Sequence, residues 1–126
     1  MTIKHEFDGQ EREFHIHRNN VSVFDAALGR SAYAVLKEFM AGAWRFDDLA
    51  KVLSFALYGP SKELKSIHDM AKRAGMHGFN PSGYAAFIPH PSVVKHLQDA
   101  GHGNYAELAV SILTETIFRE AADGQA

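Results

Sequence analysis

Eight histidines stand in this chain of 126 residues, and they are the side chains whose number first suggests chemistry. His15 and His17 make the best pair, because alternate strand residues point to one side and can share one metal ion. A third ligand would be His5, in a strand register that brings it alongside. The remaining histidines (His68, His77, His90, His96 and His102) are scattered, and no HExxH helix or comparable signature occurs. Glu6, Glu11 and Glu13 suit a solvated strand face as well as they suit a metal shell. The pair therefore carries an alternative reading, a small metal- or histidine-dependent enzyme using His15 and His17. The leading reading assigns no metal and no cofactor.

Asp47 and Asp48 resemble the paired carboxylates of general acid–base catalysis. Their place at a helix start has a sufficient structural cause, since negative charge suits the positive end of the helix dipole. Serine, histidine and aspartate are all present, but no GxSxG nucleophile elbow is. The GHG at Gly101–Gly103 lacks the Lys-Ser/Thr ending of a phosphate loop. No residue is cysteine, which removes disulfides, thiolate catalysis and cysteine-ligated zinc together. No catalytic residue is assigned on the leading reading. What remains is aromatic. Trp44, with Phe46 two residues on, either closes the core at a helix junction or anchors a partner. Trp44 and Phe46 are the first candidates for a partner-binding surface, and Tyr84 and Phe87, in a Pro-bounded stretch, come next.

The elements that must position these residues are legible from spacing. Ile3 to His17 reads as a β-hairpin turning at Asp8-Gly9, with Phe14 and Ile16 on one face of the return strand and Glu13, His15 and His17 on the other. Asn20 is the expected N-cap of a short helix, Val21 to Leu28, that stops at Gly29. Ser31 caps a second helix with an apolar stripe of Ala32, Tyr33, Leu36, Phe39 and Met40, ended by Gly42. The stretch RFDDLAKVLSFALYG, Arg45 to Gly59, is the organising helix, because Phe46, Leu49, Val52, Leu53, Ala56 and Leu57 recur on one face.

After a break at Gly59-Pro60-Ser61, a fourth helix places Leu64, Ile67, Ala71 and Ala74 inward and ends at Gly75. Residues 76–90 read as irregular, with a helix start at Asn80-Pro81 and anchors at Tyr84, Phe87 and Ile88. Ser92 to Ala100 is a short helix with Val93, Val94 and Leu97 inward. Asn104 caps the last helix, Tyr105 to Glu120, and Ala121 to Ala126 fray. The fold class expected is α+β, mainly α: a single domain over 1–126, with a hairpin over 3–17 and five or six short helices over 20–120.

The totals bound the function. The length is that of one domain, and 46% hydrophobic residues argue against wholesale disorder. A net charge of −2 with both signs interspersed leaves no polybasic patch for nucleic acid, which counts against a small DNA-binding regulator. No apolar run approaches the roughly 20 residues of a membrane span, and the polar start MTIKHEFDG is not a signal peptide. A cytoplasmic protein is expected.

Taken in order, the motifs IKHEFDGQEREFHIH, VSVFDAALG, FDDLAKVLSFALYG and VVKHLQDAG, with an amphipathic last helix, resemble the gene-transfer-agent family of small phage-type proteins, grouped with phage tail assembly chaperones. The resemblance covers most of residues 3–59 and 91–119, and the stretch from about Pro60 to His90 reads as an insertion. It implies a non-enzymatic role in a bacterial cell or on the virion: escorting the tape-measure or tail-tube protein while a tail assembles. Copies of the chain would line up along that long ligand, paired through the hairpin edge into a homo-oligomer.

Overall fold

Asp8 and Gly9 both take positive φ, 58° and 83°, the combination that a two-residue type I′ turn requires. This turn sets the register of the computed structural model, which describes residues 2–73 and 88–118. Strands β1 (Ile3–Phe7) and β2 (Gln10–Phe14) pair antiparallel, with Phe7 opposite Gln10, His5 opposite Arg12 and Ile3 opposite Phe14. Phe7 and Phe14 are buried and meet edge to face, with ring centroids 5.9 Å apart.

The return strand is shorter than the alternation predicts, ending at Phe14 rather than His17. Beyond it, the His15 N–H donates to the Ala56 carbonyl at 3.1 Å. That carbonyl needs an outside donor, because the residue four positions on is Pro60, which has no N–H. The hairpin is thus fastened to the helix where a proline interrupts the helical ladder.

Six α-helices follow among the described residues: α1 (Val21–Leu28), α2 (Ala32–Met40), α3 (Phe46–Tyr58), α4 (Lys62–Arg73), α5 (Pro91–Ala100) and α6 (Ala106–Ile117). The chain is mainly helical with an N-terminal hairpin, as expected. Ser31 Oγ accepts from Ala34 N–H at 3.0 Å, the expected cap of α2. Gly42, at φ 75°, closes α2. Ala43 N–H reaches Glu38 O at 2.8 Å and Gly42 N–H reaches Phe39 O at 3.2 Å, the pair of bonds of a Schellman motif.

Three other ends differ from expectation. Asn20 makes no side-chain cap; instead His17 Nδ1 accepts from Asn19 N–H at 3.1 Å and starts a 3-10 turn over Arg18–Asn20. The fifth helix begins at Pro91, not Ser92, with His90 as N-cap and Pro at the first helical position. A 3-10 turn, His102–Tyr105, precedes α6, and Asn104 turns its amide back to Ala100 O at 3.1 Å instead of capping forward. Residues 119 and 120, expected to extend α6, lie outside the described residues, as do Ala74, Gly75 and nearly all of 76–90.

The buried side chains form one cluster drawn from the hairpin and all six helices. Helix α3 runs through it and is buried on every side over residues 48–56, so its environment exceeds the single stripe read from spacing. On α2 the buried face is Ala32, Val35, Leu36 and Phe39, while Tyr33 and Met40 are exposed. The helical step puts Val35 within that face and Tyr33 with Met40 on its flank. Leu64 is buried on α4, but Ile67, also expected inward, is exposed; so is Ile88.

Among the described residues, the buried polar side chains all have partners. Asp48 Oδ2 accepts from Arg45 N–H at 3.2 Å and from Arg30 Nη2 at 2.9 Å, while Glu38 holds the same guanidinium from α2. Lys51 Nζ donates to Ala27 O at 3.3 Å, one of the open carbonyls at the end of α1, and pairs with Asp47 at 3.2 Å. Asp25 Oδ1 accepts from Ala32 N–H at 3.0 Å and ties α1 to α2.

Burial raises the Asp25 carboxyl above the ordinary aspartate range, against the pull of that hydrogen bond. The folded chain therefore binds this proton more tightly than the unfolded chain. The associated stability is present at low pH and is lost as pH rises through the raised value. Asp25→Asn keeps an oxygen for Ala32 N–H and removes the buried charge. Thermal melts are expected to show it more stable than the parent at pH 7 and not at pH 3; an equal change at both would reject the burial argument.

Candidate functional site

The Schellman turn at Gly42 sends the chain across the end of α2, and the half-buried Trp44 lands on Phe39. Their rings stack at 5.4 Å with 8° between planes. Two residues on, Phe46 opens α3, also half-buried. From the other side the turn between α5 and α6 brings in His102. Its ring stands edge-on to both, 5.8 Å from Trp44 and 5.1 Å from Phe46. The structure thus joins the two leading sequence candidates through a histidine that sequence reasoning counted only among the scattered ones.

The rim of this aromatic corner is open. Ala41, Gly42, Ala43 and Arg45 are exposed on one side, and Gly101 to Asn104 on the other. Small residues around half-covered rings leave room for an incoming side chain to pack. Asp47, the nearest acid in sequence, is engaged by Lys51, and Asp48 by Arg30. The corner therefore presents aromatic carbon, with the exposed Arg45 between its two rings in sequence, a surface for apolar and acidic side chains. Tyr84 and Phe87 lie outside the described residues.

The hairpin histidines stand in different surroundings. His5 faces Arg12 across the ladder and packs edge-on to Tyr105, with 5.9 Å between ring centroids. His15 lies past the strand end, its Nδ1 3.7 Å from Glu115 Oε1, and His17 caps the 3-10 turn. Once β2 stops at Phe14, the alternation that would aim His15 and His17 at one ion no longer applies. Among the described residues, no group of three or more histidine, cysteine, aspartate or glutamate side chains is placed to hold a metal ion.

Other histidines sit at junctions. His96 packs on Phe7 at 4.5 Å and receives Asp8 N–H on Nε2 at 3.2 Å. Since that nitrogen accepts there, the Tyr105 hydroxyl donates to it, at 2.8 Å. Burial raises the Tyr105 hydroxyl pKa, which keeps it a proton donor. His90 stacks on Tyr58 at 4.2 Å, and its backbone N–H donates to Ser54 Oγ at 2.8 Å. Hydrogen bonds from Ser92 and Arg12 lower the Tyr58 pKa. These two sit on a cleft of about 200 Å³ with Gly59, Pro60, Ser61 and Ile88. Ser61 Oγ is committed to Leu64 N–H at 3.1 Å.

Sequence reasoning missed one exposed feature. Tyr33 and Met40 were read as core, yet with Phe118 they stand open along α2 and α6. The available signal was Val35, whose inclusion in the buried stripe turns Tyr33 and Met40 outward. Among the described residues no helix is long and apolar enough to cross a membrane. Comparisons with family models, curated proteins and solved structures find no match to this chain.

Proposed function

We propose that the chain is a non-enzymatic tail assembly protein of the phage or gene-transfer-agent type. It acts as a chaperone for the tape-measure or tail-tube protein in the bacterial cytoplasm or on the forming virion. The observation that carries the reading is the open aromatic corner of Trp44, Phe46 and His102 beside Arg45, a surface suited to a partner's apolar and acidic groups. The resemblance of the hairpin, Leu-Gly helix and FDDLA motifs to that family supports the same reading. Tape-measure chains are long and helical, so many copies bound weakly along one ligand add as avidity. The hairpin edge is the place where neighbouring copies would pair.

The test is co-purification of the tagged chain with a tape-measure protein from the lysate of the source cell. Specific recovery is expected, and Trp44→Ala is expected to reduce it at least tenfold, about 1.4 kcal/mol or more, the range of an interface hot spot. Recovery that survives both Trp44→Ala and Phe46→Ala moves the site elsewhere. Failure to recover any tail protein, with zinc bound instead and lost on changing His15 and His17, replaces the reading with the metal-dependent alternative.

A further inference from the structure

Helices α2 and α6 pack together, and the ring contact of Tyr33 with Phe118, 6.3 Å between centroids at 81°, aligns the start of α2 with the end of α6. The two helices therefore run antiparallel. Tyr33 (52% exposed) and Met40 (72%) lie on the open side of α2, and Phe118 (58%) follows the end of α6 beside Tyr33. Seven residues separate Tyr33 from Met40, two helical turns on one flank, so the apolar groups are aligned along the helix axis. A row so spaced along a helix axis matches the i, i+3/i+4, i+7 anchors of a partner helix laid against it.

The charges choose the kind of helix. Lys37 is exposed between Tyr33 and Met40, its Nζ over the Tyr33 ring at 5.5 Å. The one carboxylate on α2, Glu38, is held by Arg30. Past Met40 the next charge is the exposed Arg45. On α6, Glu115 turns toward His15 at 3.7 Å, which leaves Glu107 of the first turn as that helix's exposed acid. A second copy presenting this same face would set Lys37 near Lys37, which is repulsive.

We infer that the exposed α2–α6 face is a docking site for an acidic amphipathic helix, with aliphatic side chains of the partner packed on Tyr33, Met40 and Phe118 and a carboxylate against Lys37. This goes beyond the tail-assembly role and concerns a different face from the Trp44 corner.

The experiment uses two fluorescein-labelled peptides of about three heptads, identical in their leucine stripe, one with glutamate and one with lysine at the flanking positions. Anisotropy titrations against the full chain are expected to show the leucine–glutamate peptide bound at least tenfold more tightly, with the preference narrowing as salt rises. Lys37→Glu is expected to invert the preference, and Tyr33→Ser with Met40→Ser to weaken binding at least tenfold while circular dichroism stays unchanged. Equal binding of both peptides overturns the inference. So does full binding by the Tyr33/Met40 variant, or a sedimentation profile showing that this face pairs copies of the chain. Glutamate-peptide binding with no tape-measure recovery leaves this site standing and removes the assembly role; the converse removes this site alone.

Discussion

Phe14→Ala is expected to lower stability by about 3–5 kcal/mol, the range for deleting a fully buried phenylalanine side chain. Phe14 has 0% exposure and packs on Phe7, which in turn meets His96 and Tyr105 at 4.5 and 5.2 Å. Phe14 thus backs the ring that meets α5 and the 3-10 turn after it, while its own strand packs on α3, and its loss opens a cavity under the hairpin. The neighbourhood cannot collapse easily, because Ile3 opposite it is held by the ladder and the next residue is fastened to Ala56. For a domain of this size the melting temperature should fall by about 10–20 °C. Glu13→Ala, one position away on the exposed face, should stay within about 0.5 kcal/mol of the parent. A melt unchanged by Phe14→Ala would mean that the hairpin does not rest on the helices as described.

Asp48→Ala is expected to cost about 2–4 kcal/mol, and Asp47→Ala about 1 kcal/mol or less. The two neighbours differ in surroundings, not in chemistry. Asp48 is 4% exposed and serves both the first N–H of α3, at Arg45, and the Arg30 guanidinium. Removing it takes away a helix cap and one of two carboxylates facing Arg30; Glu38 remains and limits the loss. Asp47 is solvated and its pairing with Lys51 is an i,i+4 contact. Lys51 keeps the Ala27 carbonyl when Asp47 is gone. Urea midpoints at constant m-value should separate the two variants clearly. Equal costs would reject the buried network as the reason for this acid's place.

Much of the architecture was readable because it rests on local chemistry. Asp8-Gly9 permits positive φ, Ser31 offers an N-capping oxygen, and Gly29 and Gly42 accept left-handed ends, so turns and helix boundaries followed from single residues. The end of β2 was not readable in this way. Alternation continues through His17, and nothing nearby in sequence announces that Pro60 leaves Ala56 O open for His15 N–H. That event joins residues 15 and 56, and it ends the alternation on which the pairing of the two histidines rested. The flank of α2 was misread for a related reason. Tyr33 and Met40 are apolar enough for core, but Val35, Leu36 and Phe39 already take the buried face of α2, which packs on α6.

The sequence by itself determined the kinds of elements, their order and the hairpin turn, and it left Trp44 open between closing the core and anchoring a partner. Those depend on dihedral preferences and on periodicity within a few residues. Only the tertiary structure decided that His102 closes the Trp44 corner, that Asp48 is buried while Asp47 is not, and that Tyr33, Met40 and Phe118 stand exposed. Each of those depends on which distant surface a side chain meets. Burial and electrostatic surroundings belong to the assembled fold, whereas turn and helix signals belong to the chain.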